Sequence, residues 1–308
     1  MDVDVRLNRL DLNLLVALDA LLTERSITVA AERIFLSQPA TSGALSRLRE
    51  FFDDELLVRV GSKMQPTPLG ESLAEPVHNI LMQIQATVER GVEFDPSSCM
   101  RNFKFYIGDY NASVFMTHVA QRIADIAPGI QMEFFMPTNK PTEELKRGHV
   151  DFLLMPKSVI HETHPSQDLF SEGFVCISCN TNDKVSEQMT VEEYMELGHV
   201  TVQFGTNRLA SQDQLLLKIE HGLEPRTEII TSTFNAIPQF LPYTKRIATV
   251  YRHLAEHWQQ FLPIKTVPVP VALPEVTWAI QWHKFRDHDP GLKWMREQIV
   301  ATAKAKFC

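Results

Sequence analysis

Gln38, Ser42 and Ser46 stand four residues apart in the stretch FLSQPATSGALSRLREFF, residues 35–52, with Arg47 and Arg49 close behind. Side chains at that spacing share one face of a helix. A glutamine can bond adenine through two edges at once, and a serine can bond several base edges. Arginines at the borders of such a face suit phosphate, and Arg47 also suits guanine. Gly43 keeps bulk off the same arc. Ser37 fits the helix N-cap, and Pro39 fits the first turn, where a missing N–H costs little. The chemistry on offer is the reading of base edges in a DNA major groove, with a plain amphipathic helix of a bundle as the alternative.

Such a helix needs neighbours to hold it. At 100° per residue Ala40, Thr41, Ala44, Leu45, Leu48, Phe51 and Phe52 fall on one side and predict its packed face. Upstream, Asp11 can cap a helix carrying Leu14, Leu15, Leu18, Leu21 and Leu22. Ser26 can cap a short second helix with Val29, Ala30, Ile34 and Phe35 as inward candidates. Two short helices joined by a minimal turn form a helix-turn-helix unit. ELLVRVGSKMQPTP then reads as a wing-like hairpin with Arg59 and Lys63 near its tip, set for phosphate or the minor groove. From Thr67 a helix runs to Arg90 with Leu73, Val77, Ile80, Ile84 and Val88 as a seam suited to pairing with a second copy, the alternative being packing on its own domain. GVEFDPSS, residues 91–98, reads as a hinge.

The formal net charge of −8 argues against a nonspecific nucleic-acid coat. The first 64 residues carry eight Lys or Arg against ten Asp or Glu, so DNA contact there depends on local placement of charge.

Beyond Arg101, short apolar strands alternate with helices, which predicts parallel α/β sheets in two lobes, the last strand and helix returning to the first. The expected organisation is α+β multidomain: a winged helix-turn-helix over 1–66, a linker and dimerisation helix over 67–90, a hinge over 91–100 and an effector domain over 101–308. Lobe 1 spans about 101–170 and 272–308, and lobe 2 about 171–271. Ligands of such lobes sit beyond strand ends and near helix N-termini. That nominates Asp109, Tyr110, Asn111 and Ser113 after the first strand, and Pro137 and Thr138 after the second. In the other lobe it nominates Gln203, Phe204, Ser232, Thr233, Phe234 and Asn235. Aromatic area mixed with hydroxyls and amides suits a phenol or aromatic acid better than a sugar or phosphate.

Other chemistry is not supported. Cys176 and Cys179 lie three apart on a strand and point to opposite faces, which opposes a shared metal and suggests buried thiols. His161 and His164 lie in a polar loop without a third ligand. There is no phosphate loop, dinucleotide fingerprint or Gly-x-Ser-x-Gly. No catalytic residue, metal or cofactor is expected. Without a secretory signal or apolar span, the expected location is the cytoplasm, with no membrane partner.

The segment AAERIFLSQPATSGALSRLREFFDDELLVRVGSKMQPTPLG resembles the winged helix-turn-helix of LysR-type transcriptional regulators, through its alanine-rich second helix, Ser-Gln-Pro and the wing closing on Thr-Pro. DLNLLVALDALLTERS and DPGLKWMREQ extend the likeness to the branch holding the nodulation regulator NodD, the salicylate-responsive NahR and regulators of chloroaromatic degradation. Many members carry Arg where this chain has Gly43, so base reading here leans on Gln38, Ser42, Ser46 and Arg47. The resemblance implies a periplasmic-binding-protein-like effector domain with a small aromatic or phenolic inducer between its lobes. It implies a dimer that assembles further into a tetramer on an inverted-repeat T-N11-A promoter site, contact with RNA polymerase, and activation of a catabolic operon, such as one for aromatic hydrocarbons, or a symbiosis-type operon. The rival expectation is a cytoplasmic small-molecule-binding α/β protein without sequence-specific DNA binding.

Overall fold

The computed structural model describes residues 10–61, 63–88, 94–136, 141–205 and 209–307. Pro137, Thr138 and residues 89–93 of the linker and hinge lie outside the described residues.

The N-terminal unit holds α1 (Asn13–Glu24), α2 (Ile27–Arg33), α3 (Gln38–Phe52), the hairpin β1 (Leu57–Val60) and β2 (Lys63–Pro66), and α4 (Pro68–Val88), together with residues 143–149 and 283–290. Leu14, Leu15, Leu18, Leu21 and Leu22 of α1 are buried against Ala30, Leu45, Leu48, Leu56 and Val77. The Ser26 hydroxyl caps α2 by accepting from the Val29 N–H. Thr67 does the same for Gly70 at the start of α4. Asp11 bonds the Asn13 N–H, although Leu12 takes the N-cap place. Two inward expectations for α2 do not hold: Val29 and Phe35 are exposed. The backbone at Phe35 turns left-handed with φ 56°, which throws its ring outward.

The apolar seam of α4 divides. Leu69, Leu73, Val77 and Leu81 pack on the helix-turn-helix core. Ile80, Ile84 and Val88, one helical turn apart, stay exposed.

The C-terminal unit contains two sheets. The first, ordered β4-β3-β5-β13-β6, joins β3 (Asn102–Ile107), β4 (Gln131–Phe135), β5 (Phe152–Pro156), β6 (Ser166–Glu172) and β13 (Val276–Trp282). The second, ordered β10-β8-β11-β7-β12, joins β7 (Phe174–Cys179), β8 (His199–Phe204), β10 (Thr227–Thr231), β11 (Ile247–Tyr251) and β12 (Ile264–Val267), with β9 (Leu209–Ala210) on β8. Between them run α5 (Asp109–Val114), α6 (Met116–Ile123), α7 (Pro141–Lys146, shared with the other unit), α8 (Val191–Glu196), α9 (Gln212–His221), α10 (Arg252–Gln259) and α11 (Pro290–Lys306), and a 3-10 turn, Phe234–Phe240.

The sheets are mixed, not wholly parallel as expected. β13 runs antiparallel to β5 and β6, and β7 antiparallel to β11 and β12. The reason lies in the connections: β6 passes into β7 through Gly173, and the chain returns from β12 to β13, so each crossing delivers a strand from the other lobe. Apolar residues at alternate positions, Phe103, Phe105 and Ile107 with Phe152 and Leu154, form the core against Leu292, Met295 and Ile299 of α11.

Candidate nucleic-acid interface and effector cleft

Ser37 leaves the turn in an extended conformation, and its hydroxyl accepts from the Ala40 N–H at 3.3 Å, opening α3 with Pro39 in the first turn. Thr41, Ala44, Leu45 and Leu48 are buried, whereas Ala40, expected to pack, is exposed. That burial turns the opposite arc outward. Gln38, Pro39, Ser42, Gly43, Ser46 and Arg47 are all exposed. Among the described residues a Cβ built on Gly43 would meet nothing within 4 Å, so their packing does not demand glycine there.

The basic residues differ from one another. Arg47 pairs with Asp11 at 2.8 Å on open surface, and that bond holds the Asp11 carboxyl below its usual range. Exposed pairs of this kind are worth about 0–1 kcal/mol, so Arg47 is readily released to another anion. Arg49 corrects the expectation of a free phosphate contact. Its Nε donates to the Glu55 carbonyl at 2.8 Å, and its terminal nitrogen to the Leu57 carbonyl at 2.7 Å. The guanidinium is spent on tying α3 to β1. Arg59, which donates to the Gly61 carbonyl, and Lys63 are exposed on the hairpin, which turns at Gly61 with φ 63°.

The expected effector residues meet at the junction of the two lobes, but largely bond one another. The Asp109 carboxylate, at the start of α5, accepts from the backbone N–H groups of Phe234 and Asn235 at 3.1 and 2.8 Å and from the Asn235 amide at 3.0 Å. The Asn235 amide also donates to Ser113 Oγ, and its oxygen accepts from the Trp258 indole. Phe234 is buried among Tyr110, Phe204 and Tyr251.

Tyr110 is not an accessible lining residue as expected. It is 1% exposed, stacks on Tyr251, and donates its hydroxyl to Glu172. Burial, and then the Glu172 charge, push its pKa well up. The second Glu172 oxygen accepts from the His253 backbone at 2.7 Å and contacts His253 Nδ1 at 2.9 Å, which raises the histidine pKa. Glu172, His253 and Trp258 escaped the sequence reading. The one local signal was a glutamate inside the apolar run LFSEGFVCISC.

Two expected residues remain unsatisfied. Among the described residues, Asn111 is fully buried with neither amide atom bonded, and Gln203 Oε1, near the end of β8, is likewise unbonded. Ser232 is exposed and Thr233 half-buried. Cys176 and Cys179 are buried and unlinked, and burial pushes the Cys176 thiol up to about 12.

Two family models account for both units: the bacterial regulatory helix-turn-helix protein of the LysR family over residues 12–71 and the LysR substrate-binding domain over 103–304. The chain belongs to the LysR family. It is similar to nodulation protein D of Bradyrhizobium sp. (strain ANU 289), at 42% identity over 97% of this chain and 88% of that one. It resembles a probable transcriptional regulator from Pseudomonas aeruginosa, with a TM-score of 0.67, 29% identity and coverage of 96% of this chain and 98% of that one. Full-length OxyR from the same organism shares the fold, with a TM-score of 0.77 at 18% identity and coverage of 94% of both chains. As a LysR-type protein it is a DNA-binding transcriptional regulator and not an enzyme. Among the described residues no helix is long and apolar enough to cross a membrane.

Proposed function

We propose that this LysR-type regulator reads an inverted-repeat promoter site by setting Gln38, Ser42, Ser46 and Arg47 into the major groove, with Arg59 and Lys63 on the flanking backbone. The observation that carries the reading is the outer arc of α3, where an amide and two hydroxyls stand exposed with no side-chain hydrogen bond among the described residues. Two copies pair through the exposed stripe Ile80–Ile84–Val88, and further assembly gives the tetramer. The protein works in the cytoplasm, where it contacts RNA polymerase as an activator. The name of the nodulation relatives supports a symbiosis-type operon over a catabolic one.

The inducer enters the lobe junction. Asn111 and Gln203, with buried polar atoms lacking partners among the described residues, support this placement, because such atoms cost about 1–3 kcal/mol each until bonded. The half-buried Phe204 ring, packed on Phe234, supports an aromatic ligand. Asp109 already holds the N–H donors of the 234–240 turn, so a carboxylate ligand has to displace it. A phenolic hydroxyl can instead donate to Asp109. That favours the phenol over the aromatic acid.

The test is a footprint on the promoter beside the protein's own gene, with and without phenols and chlorinated hydroquinones. Protection of an inverted repeat that shifts with a phenol is expected, and Asn111→Ala should lose the shift but keep the protection. Protection that disappears with Asn111→Ala, or no protection at all, overturns the assignment.

A further inference from the structure

The backbone at Phe35 closes α2, where the Phe35 N–H donates to the Glu32 carbonyl and the Leu36 N–H to the Ala31 carbonyl, but nothing in that cap calls for a phenyl ring. Phe35 lies in the turn between α2 and α3 with φ 56°, a left-handed conformation that glycine or asparagine adopts with less strain. Its ring is 95% exposed, so folding gains nothing from its apolar surface. The cap explains the conformation and leaves the choice of side chain unexplained, and a large exposed ring where glycine or asparagine fits better points to a use outside the chain. The position indicates which one. Phe35 sits two residues before the cap Ser37, at the N-terminal end of α3, the end that carries Gln38 and Pro39 and that a recognition helix brings to the base edges. A phenyl ring has no interest in phosphate. The apolar group that the major groove presents is the C5-methyl of thymine.

We infer that Phe35 is a DNA-contacting residue, burying its ring on a thymine methyl beside the bases faced by Gln38 and Ser42. The inference rests on the docking of α3 proposed above, and Gln38→Ala serves as the separate control for that docking.

The experiment uses the full chain and its footprinted operator. Phe35→Asn is expected to raise the melting temperature by relieving the backbone, while weakening operator binding about tenfold, the effect of one lost apolar contact. Because no phosphate contact is removed, the dependence of affinity on salt keeps its slope. Replacing the flanking thymines with deoxyuridine should weaken the wild-type protein to the same degree and leave Phe35→Asn unaffected. A variant that binds the operator as tightly as wild type, including one that fails only in activation and so places the ring on a protein partner, overturns the inference. So does a lowered melting temperature, which makes the ring a fold element, or a loss that is indifferent to deoxyuridine, which moves the contact to sugar. If Gln38→Ala also binds normally, it is the docking of α3 that fails.

Discussion

The outer arc of α3 and the junction between the lobes are the two surfaces proposed here for ligands, and their polar groups are treated in opposite ways. On α3, Gln38, Ser42 and Ser46 point to solvent and keep their bonding capacity. At the junction, Asp109, Ser113 and Asn235 bond one another, and Glu172 clasps Tyr110 and His253. Water satisfies the first set at no cost to the fold. The second is buried at Glu172 and Tyr110 and half-buried elsewhere, and so finds internal partners. On the proposed assignment a duplex would add contacts to α3, whereas an inducer would exchange contacts at the junction.

Substitutions can break that contrast. The largest effect is expected for Glu172→Leu, which strips the Tyr110 hydroxyl and His253 of their buried acceptor and should destabilise by about 4 kcal/mol. Denaturant melting should show the loss, while operator affinity in the cold stays within about twofold; a parallel fall in affinity would end the separation of the two regions.

Asp213 at the start of α9 brings pH into the same comparison. Burial pushes it up to about 6 from 3.8, so the folded state holds its proton more firmly than the unfolded chain does. Its burden is absent below pH 4 and fully present above 6. Asp213→Asn should raise stability by about 2 kcal/mol more at pH 8 than at pH 4. Equal gains at both values would show that the carboxylate is not what weakens the fold.

Ser37→Ala removes the α3 cap and should cost about 1 kcal/mol, this time with weakened operator binding and an unchanged inducer response. The smallest effect is a gain. Gly43→Ala fills open space on an exposed helix and should stabilise by up to about 1 kcal/mol in urea titration, because alanine is the better helix former.

What the sequence could convey follows from distance along the chain. α3 was legible because its cap, its proline and its packed face all lie within one helical repeat pattern. The junction was legible only as a set of strand ends. Asp109 and Asn235 are 126 residues apart, and no pattern announces that one carboxylate will cap the other's turn. Tyr110 looked like a lining residue because turns at strand ends usually face the cleft, but Glu172 draws it inward. The crossings near residues 171 and 272 were legible, but strand direction was not, because alternation of strands and helices does not show that a strand delivered from the other lobe enters antiparallel. Phe35 fitted the apolar spacing of α2, but the helix ends before it.

Arg49 has a consequence for how binding specificity can evolve. Its fork grips the Glu55 and Leu57 carbonyls and so ties the start of the hairpin to α3. If both parts touch the target as proposed, the spacing between them is thereby set by the reach of one side chain. A lineage changing its preferred promoter can swap side chains on either part, but any change in the gap between them must first loosen this one residue.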